Sequence, residues 1–210
     1  MGNPWEEISL SDYENHMRLD SVRQLQSLNR TMKIQLEKFS VSSAMIFGIA
    51  GGNGLEHVDK NKYTKVYGVD INETYLRTVE DRYKELSGIL QCLKIDIINE
   101  ADRLPGVDLV IANLLIEYVG YEAFAEAIRK VSPRYVSCVI QINDMSVKQW
   151  VSDSPYVHSF DSLESVHHQM DEGELTAVMN NIGYKLVEKS ADNLPNGKSL
   201  VRLDYVGKED

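Results

Sequence analysis

From residue 44 onward the chain alternates short apolar runs with stretches in which apolar residues recur every three or four positions. The runs occupy 44–49, 65–69, 89–95, 107–112 and 135–142, and several are apolar nearly throughout, the pattern of parallel strands covered on both faces. Between them, Leu76, Val79, Tyr83 and Leu86 share one side of a helix over 73–86, and Phe124, Ile128 and Val131 one side of a helix over 121–131. Strand and helix in alternation predict an open, doubly wound sheet. Ahead of this region, Leu25, Leu28, Met32, Leu36 and Phe39 form a single apolar face, which predicts at least one long helix within 11–39. Residues 1–42 therefore read as an N-terminal helical extension and 43–210 as the sheet-bearing part of one structural domain.

The C-terminal end breaks the alternation. Asp171 and Glu174 are spaced as an N-cap and its partner, opening a helix that Gly183 closes. Strands over 185–189 and 200–206 follow, joined through Leu194-Pro195-Asn196-Gly197, where Asn-Gly is a strong turn signal. Consecutive strands without a helix between them pair antiparallel, so a mostly parallel, seven-stranded sheet ends in a hairpin. The stretch 141–168, polar with scattered aromatics, predicts a long connection or a small helical insertion.

Composition narrows the function classes. The 210 residues are 43% hydrophobic and 26% charged, with no apolar run long enough to span a bilayer and no secretory pattern at the start, so a soluble, cytoplasmic protein is expected. Cys92 and Cys138 are too few for a disulfide framework and sit in apolar runs as small core residues. A net charge of −10 disfavours nucleic acid as a partner, because duplex binding neutralises phosphates with Lys and Arg. The pair His167-His168 lacks a nearby cysteine and its side chains diverge, so no metal site is expected there. The composition leaves the oligomeric state open.

The candidate chemistry begins at the turn Gly48-Ile49-Ala50-Gly51-Gly52-Asn53-Gly54, between the first strand and an expected helix start. A dinucleotide fingerprint on Gly52 and Gly54 needs a third glycine at position 57, which is His57, and a P-loop needs Lys-Ser or Lys-Thr where Leu55-Glu56 stands. Gly197-Lys198-Ser199 lacks the earlier glycine of a P-loop and lies in the hairpin turn. The turn resembles instead the first motif of the class I S-adenosylmethionine-dependent methyltransferases. Gly52 and Gly54 match two of the family's three glycines, with Ala50 at the other and Gly48 where the family has an acidic residue. VYGVDIN places Asp70 and Ile71 at the end of the second run, LKIDI places Asp96 and Ile97 at the end of the third, and VDLVIAN places Asn113 at the end of the fourth, with Asp108 opening that strand as a structural residue.

The resemblance implies a Rossmann-like fold with a terminal antiparallel hairpin and S-adenosyl-L-methionine as cofactor, leaving S-adenosyl-L-homocysteine. It also implies that Asp70 accepts from the ribose hydroxyls, that Asp96 and Ile97 meet adenine, and that Gly51 to Asn53 hold the ligand mainly by backbone. The work of the family's missing carboxylate at Gly48 falls to another group, such as an N-terminal side chain. Facing the acceptor are Glu117 and Tyr118 after the fourth strand, and Tyr13 and His16 in an N-terminal lid. The implied acceptor is a small molecule. The rival readings are an NAD-dependent oxidoreductase and a methyltransferase-like protein that binds the cofactor without turnover.

Overall fold

The computed structural model describes residues 2–143 and 149–207. Residues 144–148, within the expected irregular stretch, lie outside it. Seven strands form one sheet: β1 (Ser43–Phe47), β2 (Lys65–Asp70), β3 (Leu90–Lys94), β4 (Leu109–Asn113), β5 (Tyr135–Asn143), β6 (Tyr184–Asn193) and β7 (Lys198–Gly207). Their order across the sheet is β3-β2-β1-β4-β5-β7-β6. The pairs within β3-β2-β1-β4-β5 are parallel, whereas β7 runs antiparallel to both β5 and β6. The helices are α1 (Leu10–Arg18), α2 (Gln24–Lys38), α3 (Glu73–Arg82), α4 (Ile116–Val131) and α5 (Glu172–Asn181). Among the described residues, no helix is long and apolar enough to cross a membrane.

Side chains alternate across the strands and build a core on each face. Met45, Phe47, Val110 and Ala112 pack beneath α4 and α5 with Phe124, Ile128, Leu175 and Met179. Ala44, Ile46, Leu109 and Ile111 face the other way, beneath Leu76 and Val79 of α3, Met32 and Leu36 of α2, and Phe39 at its C-cap. The N-terminal helix α2 is thus a full member of one helical layer. At the opposite end of the sheet from the glycine turn, Asp108 accepts from the Ser43 hydroxyl at 2.7 Å and returns its own N–H to that oxygen at 2.9 Å, tying the starts of β1 and β4.

Two local differences from the sequence pattern bear on function. The first crossover contains no α-helix after the glycine turn; Leu55–His57 make only a 3-10 turn. The vacant place in the layer is filled by α2, whose Met32 packs onto Gly54 so closely that a Cβ there would lie 2.5 Å from Met32 Cγ. Gly54 is also left-handed, at φ +94°. Gly54→Ala is therefore expected to lower stability by about 2–4 kcal/mol through strain and overpacking together. Denaturant midpoints test this, and a loss under about 0.5 kcal/mol would mean that α2 is not anchored on the turn.

The second difference is at α4. The expected start near 121 marks a real break, since Gly120 at φ 77° interrupts the helix, but a helical turn from Ile116 precedes it. That turn carries Glu117 and Tyr118. At the other sites local chemistry and structure coincide: Asn72 caps α3 by accepting from the N–H groups of Thr74 and Tyr75, and Asp171 caps α5 through Gly173 and Glu174.

Candidate functional site

Strand order reverses between β1 and β4, and the crevice beyond their carboxyl ends is where an open sheet of this kind takes ligands. A cleft opens there, walled by Gly48, Ala50, Asp70, Ile71, Asp96, Ile97 and Asn113. The glycine turn is held from behind: Gly48 and Ile49 donate to the carbonyl of Val69 at 2.9 and 3.1 Å. Asp70 holds it from the front. One carboxylate oxygen accepts from the Ala50 N–H and the other from the Asn72 N–H, each at 2.9 Å. Burial raises the Asp70 pKa, opposed by these backbone donors. Ala50 itself is left-handed at φ 46°, a strained setting for a residue with a Cβ, so Asp70 is bonded to the strained point of the turn.

The rest of the turn faces elsewhere. Gly51, Gly52 and Asn53 line a separate hollow beneath α1 and α2, which Gly48, Ala50 and Asn113 also border. Asn53 donates to the Leu25 carbonyl and accepts from Asn29, and the Asn113 amide is paired reciprocally with that of Gln35 at 2.9 Å in both directions. Asp96 caps its own turn, accepting from the Ile98 N–H and the Asn99 side chain. A carboxylate reaches the glycine turn from α1: Glu14 is clamped by Arg82, whose guanidinium also donates to the Gly51 carbonyl at 3.0 Å.

The chain ahead of α1 lies across the cleft. Asn72 donates to the Trp5 carbonyl at 2.9 Å, the Tyr75 hydroxyl donates to the Ile8 carbonyl at 2.8 Å, and Lys94 pairs with Glu6 at 3.5 Å. This strap brings the Trp5 ring to 4.8 Å from Tyr118 and 5.8 Å from Tyr13, both edge-on. The three rings form a partition, because behind them lies a second cavity that they also line.

Glu117 and His16 belong to this second cavity. Glu117 is 3% exposed; its Oε1 accepts from the Gln141 N–H at 2.7 Å, while its Oε2 has no partner among the described residues. Burial pushes its pKa up to about 7 against the pull of backbone donors. His16 is also buried, hydrogen-bonded through Nδ1 to the Ser154 hydroxyl at 2.8 Å, and burial followed by the charge of Lys198 brings its pKa down to about 4. The Tyr13 and Tyr118 phenols are raised by burial first and by neighbouring carboxylates second, so both stay neutral.

Several lining residues were not among those the sequence singled out for the site: Trp5 from the strap, Trp150 and His167 from the connection after β5, and Lys198 at the start of β7. None lies in a run with a ligand-binding pattern. Lys198 sits beside an Asn-Gly turn, where a lysine ordinarily points to solvent.

No protein-family model matches the chain, and no curated relative does. Solved structures do. The N-methyltransferase NodS from Bradyrhizobium japonicum WM9, in complex with S-adenosyl-L-homocysteine, is similar at a TM-score of 0.66 and 12% identity, over 99% of this chain and 100% of that one. The magnesium protoporphyrin IX methyltransferase ChlM from Synechocystis PCC 6803, with bound S-adenosylmethionine, is similar at 0.61 and 12%, over 92% and 83%. The 4+2-cyclase SpnF is similar at 0.67 and 9%, over 92% and 84%. One of these three is named for a cyclisation, a reminder that a fold hosts more than one chemistry. The strand order, the closing antiparallel pair and these likenesses together identify the fold as that of the class I S-adenosylmethionine-dependent methyltransferases.

Proposed function

We propose that the protein is an S-adenosylmethionine-dependent methyltransferase for a small-molecule acceptor, with Glu117 as the base. The observation that carries this reading is the pair of cavities divided by Trp5, Tyr13 and Tyr118, one ending at Asp70 and the other at a buried carboxylate with a free oxygen.

The residues of the first cavity fit an adenosyl and methionyl ligand. Asp70 offers an acceptor-only fork for vicinal hydroxyls, and the apolar Val69, Ile71, Ile95 and Ile97 suit a flat base. At Gly48, left-handed at φ +66°, a Cβ would stand 3.0 Å from Leu115, so the backbone runs close to the wall there. Glu14, held by Arg82 at the glycine turn, is the candidate for the carboxylate that the family's motif puts at position 48. Bound there, S-adenosylmethionine supplies a methyl group activated by its sulfonium and leaves as the neutral thioether.

The chain's own work is alignment and proton removal. Alignment of reacting groups is worth at most roughly 7–11 kcal/mol. An acceptor in the second cavity would give its proton to Glu117 Oε2 as its nucleophilic atom takes the methyl group that the cofactor would supply. Trp5, Tyr13 and Tyr118 line both cavities and so stand where the two bound ligands would meet. His16, neutral at pH 7 and bonded to Ser154, shapes the acceptor wall.

Calorimetry with S-adenosylmethionine, S-adenosylhomocysteine and NAD tests the reading. Both adenosyl ligands are expected to bind and NAD is not; binding of NAD alone would overturn it.

A further inference from the structure

The acceptor cavity holds a charge that proton removal does not use. Lys198 is 2% exposed, and among the described residues its ammonium reaches only the carbonyl of Trp150, with no carboxylate at ion-pair distance. An ammonium has three donors, so most of its hydrogen-bonding capacity is unspent. Burial alone brings its pKa down to about 8, which still leaves it protonated at pH 7. Its two imidazole neighbours are held neutral: His16 by burial and then the Lys198 charge, and His167 by burial, then His168, then Lys198, each with a pKa of about 4. Besides Glu117, which titrates near pH 7, the cavity therefore presents one desolvated positive charge, and a buried positive charge is complementary to an anion.

The walls specify the body that carries such an anion. Trp150 and His167 stack at 4.2 Å with an interplanar angle of 20°, Tyr118 meets Trp150 edge-on at 6.2 Å, and Phe160 lies 4.9 Å from His16. Rings arranged in this way favour a flat aromatic guest by offset stacking and edge contacts.

We propose that the acceptor is an aromatic carboxylic acid whose carboxylate pairs with Lys198, whose ring lies against the Trp150 and His167 wall, and whose nucleophilic group faces Glu117. The last of these assignments rests on the methyltransferase reading; the anion site stands apart from it.

The test is calorimetry on the full chain, with and without S-adenosylhomocysteine, using hydroxybenzoate isomers, hydroxycinnamates and indole acetate, each beside its uncharged carboxamide. At least one carboxylate is expected to bind about 100-fold more tightly than its carboxamide, the scale on which a desolvated charge partner acts. Lys198→Met should erase that preference and Lys198→Arg should retain one, with S-adenosylhomocysteine affinity the same in both. In the wild-type protein the preference should fade as pH rises beyond about 8, which gives a reading independent of whether the Met variant folds. Absence of a preference in every pair, its survival in Lys198→Met, or its constancy through that pH range would overturn the proposal. A carboxylate preference in a protein that fails to bind S-adenosylhomocysteine would sink the methyltransferase reading and leave the anion site standing.

Discussion

Replacing Glu117 with Gln is expected to lower kcat by about two to four orders of magnitude, the usual contribution of a positioned base, while S-adenosylhomocysteine affinity stays unchanged. The side chain sits on the first turn of α4, anchored by the Gln141 N–H at one oxygen and free at the other. With its pKa pushed up to about 7 by burial, the wild-type rate should rise through pH 7 and then level, and the Gln variant should lose that limb. The same shift has a stability consequence of definite sign. Between the ordinary value of 4.5 and about 7, the native state holds a proton that the unfolded chain has lost, so stability falls as pH rises across that window, by at most about 3 kcal/mol. His16 acts in the opposite sense: between about 4 and 6.5 the unfolded chain binds the extra proton, and stability rises with pH. The two slopes oppose each other where they overlap, so Glu117→Gln should melt at a temperature that climbs more steeply than the wild type's from pH 4.5 to 6.5. A rate loss under about threefold with the pH limb intact would make Glu117 a structural residue.

How much of this was legible in the sequence depended on whether the signal was local. Strands β1, β4 and β5 are covered on both faces, so continuous apolar runs marked them; β6 is an edge strand exposed over most of its length, and only its Asn-Gly turn and a short apolar start gave it away. The missing helix after the glycine turn was not legible, because what replaces it is α2, earlier in the chain and packed onto Gly54 through Met32. The carboxyl-end acids Asp70 and Asp96 could be placed on the cleft from strand ends alone, and Glu117 and His16 line one cavity. The strap could not be read, since residues 3–9 have no periodicity and are held by Asn72 and Tyr75, more than sixty positions away. Lys198 was hidden for a related reason: its turn is readable, but the cavity it enters is assembled from four separate segments of the chain.

Asp70→Ala is expected to separate two roles that the wild-type geometry superimposes. As a ligand for vicinal hydroxyls, Asp70 should account for about 100-fold in S-adenosylhomocysteine affinity, since charge-assisted hydrogen bonds are worth about 1.5–3 kcal/mol each. As the acceptor for the Ala50 and Asn72 N–H groups, it also keeps the strained turn in place. Its pKa is raised although backbone donors oppose the rise, so desolvation outweighs them, and removing the buried charge recovers part of what the lost bonds cost. Stability should therefore fall by only about 1–2 kcal/mol while affinity falls steeply. Asp70→Asn keeps a carbonyl oxygen for Ala50 but has no second acceptor for the ribose, so it should recover most of the stability and little of the affinity. If Asn restores both together, Asp70 acts by shaping the glycine turn and not by touching the ligand. If Ala leaves affinity unchanged, Asp70 is no part of the binding site, and the carboxylate at the turn that remains to be tested is Glu14, whose bond to Arg82 ties α1 to the same backbone.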